Sequence, residues 1–153
     1  MMKKIRLLLV MCAALVMTFS VLAETKVNEL KKMIDVQNPV VFQLANGANA
    51  TGSKMTIYNH TDKDLIIDGF TSNDFKRTML HSTRYESGKR VMFHVDHITV
   101  PAHKKLALTP NTHHFMLFNP IHKLKTGEFL TLKVHTNQGE FDVIAQVVPR
   151  RLK

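Results

Sequence analysis

Alternation limits this chain's fold more than any other feature. From residue 40 onward, apolar and polar residues exchange places every second position in short runs, and each run is ended by a turn signal. A period of two is the signature of a strand with one buried face. The runs are Val40–Leu44, Met55–Tyr58, Leu65–Ile67, Thr78–Thr83, Arg90–Val95, Lys105–Thr109, His113–Phe118, Phe129–Val134 and Glu140–Val148. Between them stand Asn46-Gly47-Ala48-Asn49, Asn59-His60-Thr61-Asp62, Glu86-Ser87-Gly88-Lys89, Pro101, Pro110-Asn111, Pro120 and Asn137-Gln138-Gly139, all residues that favour turns. Eight or nine short strands at roughly ten-residue spacing predict an all-β chain, an antiparallel sandwich or barrel. Ahead of them, Val27, Leu30, Met33 and Ile34 are spaced as one face of a short helix. No internal repeat, linker or low-complexity segment interrupts the pattern.

The first 23 residues follow a different rule. Lys3, Lys4 and Arg6 precede an apolar stretch from Leu7 to Met17, and Val21-Leu22-Ala23 closes it with the residues a signal peptidase reads. The apolar stretch falls short of the ~20 residues that span a bilayer. Cys12 lies inside it without a small residue before it, which argues against a lipoprotein signal. We expect a cleaved signal peptide at 1–23, a periplasmic protein, and one domain over 24–153. The single cysteine then leaves with the leader, and no disulfide or thiolate site remains. Those 130 residues suffice for one hydrophobic core. Losing the three leader cations lowers the formal charge from +9 to +6. The charge is spread along the chain with no basic stripe or matching motif, so nucleic acid is not the expected partner.

Within the strand runs lies the spacing His81-x10-Met92-x21-His114-x-Met116. Two imidazoles and two thioethers make a soft, uncharged donor set suited to Cu(I). In Val91–Val95 the odd positions are apolar, so Met92 and His94 point the other way. In His113–Phe118, Phe115 and Leu117 fit a core face and leave His114, Met116 and Phe118 opposite. Leu80 is the natural core residue beside His81. All four candidates thus fall on the non-core face, an unusual place for methionine, which normally fills core gaps. A hairpin turn centred on Glu86-Ser87 would set His81 directly across from Met92, with Cβ atoms roughly 5 Å apart. Val91, Phe93, Phe115, Leu117, Val143 and Val147 are expected in a core that forms without metal. Met and His each supply 9 of the 153 residues. A chance match to the four positions is therefore on the order of 10⁻³ over the chain, low enough to weigh but not decisive alone.

Here the chain resembles a known family. The segment 55–148 is similar to the periplasmic copper chaperones of the PCuAC type, whose signature is His (or Met)-x10-Met-x21-His-x-Met. His81, Met92, His114 and Met116 stand at its four positions with both long spacings intact. Lys54–Asn59, Asp96–Ala102 and His113–Phe118 resemble its strands. The resemblance implies a cupredoxin-like β-sandwich and a Cu(I) site at those four residues. It also implies delivery to a copper enzyme, typically the binuclear copper centre of a respiratory oxidase, so the partner would be an oxidase subunit at the inner membrane. The chain departs from some members in having an Arg/Lys-rich tail, Pro149-Arg150-Arg151, in place of Met and His.

The neighbouring residues have simpler readings. His94 reads as a solvated histidine, with a weak ligand or supporting residue as the alternative. His113 falls on the core side as a hydrogen-bonded or strand-edge residue, and His97 and His103 as exposed turn residues. Met55 and Met79 read as packing residues; Phe118 would shield the metal or stand exposed. No nucleophile–base pair, paired acids or phosphate loop suggests an enzyme. Copper sequestration without an obligatory acceptor, and a metal-free interaction module, are the competing functions. A blue-copper carrier would need a thiolate. One Cu(I) per chain is expected, with affinity falling below about pH 6 as the imidazoles protonate, and with weak Zn(II) binding.

Overall fold

The computed structural model describes residues 22, 24–25, 28–30 and 32–150. The expected leader, with Cys12 and the cleavage point at Ala23, lies outside the described residues, as does Val27. Leu30 and Met33 are helical as expected; Leu30 is buried and Met33 exposed. Ile34 is not part of that helix but begins the first strand.

Ten strands are present among the described residues: β1 (Ile34–Phe42), β2 (Ala50–Asn59), β3 (Leu65–Thr71), β4 (Phe75–Glu86), β5 (Lys89–His94), β6 (Ile98–Val100), β7 (Lys105–Leu108), β8 (His114–Pro120), β9 (Phe129–Thr136) and β10 (Gly139–Val148). The hydrogen-bonded order is β5-β4-β8-β2-β1-β10-β9-β3-β6, with β7 on β2. β2 belongs to both halves. Ala50–Gly52 pair with β8, whereas Met55–Tyr58 pair with β7. The strip folds over on itself, so that Phe70 of β3 stacks on Phe115 of β8 with centroids 4.3 Å apart. The result is the expected cupredoxin-like β-sandwich, with two differences from the sequence reading.

First, the sandwich is not wholly antiparallel: β1 runs parallel to β10 through Val40–Phe42. β1 also starts six residues earlier than the expected run at Val40. Its early half alternates poorly because Asn38, at φ 51, and Pro39, which has no N–H to donate, break the ladder between Gln37 and Val40. Second, β6 has only three residues, too few to show a period of two, and was marked only by the family resemblance over Asp96–Ala102.

The core draws on nearly every strand. Phe115, Leu117, Val143 and Val147 are buried as expected, with Met55 among them as a packing residue. Val91 and Phe93 are only half buried. They lie on β5, the end of the strand order, where no further strand covers them. The Arg84 guanidinium lies 4.6 Å from the Phe93 ring centroid and covers part of it.

Phe115 is fully buried and carries the stack between the two layers. Replacing it by Ala should cost about 3–5 kcal/mol in urea unfolding. The unsubstituted, copper-free protein should unfold in one cooperative step, because none of these contacts involves a metal.

Candidate metal centre

The site is built on one face of the β5-β4-β8 sheet. β8 must turn Phe115 and Leu117 inward, so His114 and Met116 face the other way. Pairing with β4 sets His81 directly opposite His114, and Met79 opposite Met116. On the other side of β4, His94 lies opposite His81, and Met92 opposite Thr83. The face therefore carries a row of three imidazoles, His94-His81-His114, flanked by Met92 on one side and by Met79 and Met116 on the other.

This corrects the expected register, in which Met92 stood across from His81. The hairpin turn is centred on Ser87-Gly88, both at positive φ (49° and 77°), with Glu86 paired to Lys89. Two left-handed central residues are what a two-residue hairpin requires, and Gly88 meets that need at no steric cost. The turn lies one residue later than expected, which moves every partner on β5 by two positions.

Met92 reaches the site nonetheless. Its Sδ lies 3.1 Å from His114 Nε2. His114 Nδ1 lies 3.1 Å from the Thr112 carbonyl oxygen. A carbonyl only accepts, so Nδ1 carries the proton and the neutral ring turns a lone pair at Nε2 toward the sulfur. Two lone-pair donors thus face each other with no proton between them. Nitrogen and sulfur ligands on one tetrahedral ion would sit roughly 3.5 Å apart, so this pair is close to a metal's bite. The His81 and His114 centroids are 6.1 Å apart at 81°, within the roughly 5–6.5 Å spanned by two rings on a shared ion. His81 Nδ1 is buried without a hydrogen-bond partner among the described residues, an orphaned nitrogen that fits a metal ligand.

Met116 is held close by Gly52. A Cβ there would lie 3.5 Å from Met116 Sδ and 3.6 Å from His114 Cδ2, so both side chains lean over the bare backbone of β2. The two side chains are consequently enclosed: His114 is 1 % exposed and Met116 9 %, although neither faces the core. Met92, on β5, stays 44 % exposed. The donors therefore run from a buried end to an open one.

Among the described residues, no three His, Cys, Asp or Glu side chains gather as a metal cluster. Cations border the face. Arg77 lies 4.3 Å from the Phe118 ring centroid, and Arg90 donates to Asn111 Oδ1 at 3.2 Å. Burial is the main cause that holds the His81 imidazole below its ordinary pKa; His114, His94 and Arg77 add to it. Burial again leads for His114, with Arg90 and His113 in support against the raising effect of the Thr112 carbonyl.

The neighbouring residues sort themselves by position. Phe118 is half buried beside His81, with centroids 6.1 Å apart. His113 sits just before β8, half buried, with Nδ1 unpartnered rather than hydrogen-bonded as its core-side reading allowed. His97 is exposed as expected; so is His103, whose Nε2 meets Asp62 at 2.9 Å.

The profile of the LpqE-like family, described as lipoproteins, matches residues 34–147. The chain belongs to the LpqE-like family. Its fold is also that of solved PCuAC domains. The copper-bound PCuAC domain from PmoF2 is similar at a TM-score of 0.64 and 19 % identity, over 76 % of this chain and 93 % of that one. The Cu(I) form of DR1885 from Deinococcus radiodurans is similar at 0.62 and 25 %, over 74 % and 76 %. Apo-DR1885 is similar at 0.59 and 26 %, over 77 % and 80 %. No curated protein sequence matches this LpqE-like chain.

The lowered imidazoles make a pH prediction for the copper-free protein. NMR titration should place the His81 and His114 midpoints below 6.5. His122, raised chiefly by its hydrogen bond to Asp74, should titrate above it. As pH falls below 6.5, the unfolded chain takes up protons that folded His81 and His114 still refuse. Stability from these two groups is therefore present above 6.5 and declines as pH drops toward their folded values.

Proposed function

We propose that this chain is a Cu(I) metallochaperone whose ligands are His81, Met92, His114 and Met116. The observation that carries this reading is the His114 Nε2–Met92 Sδ approach of 3.1 Å. It joins the two halves of the spacing motif with lone pairs facing and no proton to share. The orphaned His81 Nδ1 and the leaning of Met116 over Gly52 support the other two ligands. Two of the similar structures hold copper, one of them as Cu(I).

The chemistry follows from the donors. Thioethers bind no proton near neutrality and form no disulfide, so they hold soft Cu(I) in an oxidising compartment. The imidazoles must be neutral to bind. Their lowered pKa values extend the expected acid limit, so affinity persists below the pH at which free histidine would lose it. The exposed Met92 end lets an acceptor's ligands approach while His114 and Met116 still hold the ion, so that copper passes by ligand exchange without becoming free.

In this reading, residues 1–23 are a cleaved signal peptide and 24–153 one periplasmic domain. The acceptor is an extracytoplasmic copper protein, a cytochrome oxidase copper centre at the inner membrane. The chain performs no catalysis. Sequestration of copper would use the same site with no acceptor.

Anaerobic Cu(I) titration against a competing chelator tests the assignment. Wild type should bind one Cu(I) per chain. Replacing Met92 and Met116 together by Leu preserves size and apolarity while removing both sulfurs. That variant should stay folded and lose at least about a hundredfold in Cu(I) affinity, with its weak Zn(II) binding little changed. Unchanged Cu(I) affinity would move the metal to histidines elsewhere. Transfer of the bound ion to an apo oxidase copper domain, monitored by the acceptor's spectrum, separates delivery from sequestration.

A further inference from the structure

A third imidazole stands beside the candidate centre, outside the four-residue spacing. His94 is the direct cross-strand partner of His81 and lies two residues from Met92 on the same face of β5. It therefore neighbours two of the four ligands. The His94 and His81 centroids are 6.3 Å apart at 72°, again within the reach of two rings on one ion.

Its orientation is set. Nδ1 lies 3.1 Å from the Leu80 carbonyl oxygen. That oxygen can only accept, so Nδ1 carries a proton and the ring is anchored there, which leaves Nε2 as the nitrogen through which a neutral His94 would bind a metal. The Asp96 carboxylate lies 3.5 Å from Nε2, and its side chain is 96 % exposed. The His94 side chain is itself 51 % exposed, whereas His114 is enclosed. Fixed at Nδ1 and loosely partnered at Nε2, His94 sits where the buried-to-open run of donors ends.

We propose that His94 is a transient copper ligand at the exposed end of the centre, the nitrogen through which Cu(I) leaves and arrives. This rests on the Cu(I)-binding reading above. In the exit step the Cu–S bond to Met92 breaks as a Cu–N bond to His94 Nε2 forms. The ion remains Cu(I), the proton stays on Nδ1 at the Leu80 carbonyl, and Asp96 gives up its contact with Nε2. His81 is retained through the exchange and bridges the resting and leaving positions. An incoming chelator then meets copper on the half-exposed imidazole of His94 at the open end of the centre.

The test is the rate of Cu(I) release from the loaded protein into excess bicinchoninate, followed by anaerobic stopped flow in wild type and His94→Ala. Equilibrium affinity should stay within about threefold, while release should slow by about tenfold. Free imidazole should restore the rate in the variant and leave wild type nearly unaffected, which a purely structural role would not produce. Equal release rates would overturn the proposal. So would loss of affinity by tenfold or more, which would make His94 a permanent ligand. A wild-type protein that takes up no Cu(I) would remove the chaperone reading as well, a result distinct from either.

Discussion

The burial of one face of β8 governs the rest of the structure. Phe115 and Leu117 are fully enclosed, and Phe115 stacks on Phe70 to join the two layers. A strand has only two faces, so fixing these residues inward fixes His114 and Met116 outward. The same pairing brings β4 alongside and sets His81 across from His114. A one-residue slip of β8 would send its imidazole and thioether into the core. The energy that maintains the donor geometry therefore comes mainly from hydrophobic packing, not from the metal.

That division explains how much could be read in advance. Period-two alternation was strong enough to locate nine of the ten strands and the face on which all four donors lie. Register was harder, because it depends on which two residues take left-handed conformations in the turn. Ser87-Gly88 does so, and the expected Glu86-Ser87 did not, which exchanged His94 for Met92 across from His81. The parallel contact between β1 and β10 joins residues about a hundred positions apart and leaves no local trace in sequence. Burial of the donors was also invisible. Enclosure of His114 arises from Met92 lying against it and from the absence of a side chain at Gly52, and both are tertiary facts.

Electrostatics and softness work together at the centre. Arg77 and Arg90 border the donor face, and desolvation with neighbouring positive charge keeps His81 and His114 neutral below the usual imidazole range. Neutral nitrogens beside neutral sulfurs add no negative charge to attract a hard dication, yet satisfy a soft monovalent one. In the proposed reading the face would select Cu(I) through donor type more than through charge.

Copper K-edge X-ray absorption on the anaerobically loaded protein tests this account most directly, because it reports the atoms bound to the ion. The account predicts one Cu(I) per chain in a mixed shell, with nitrogen at roughly 2.0 Å and sulfur at roughly 2.3 Å. A shell of nitrogen and oxygen alone, with no sulfur scattering, would contradict it.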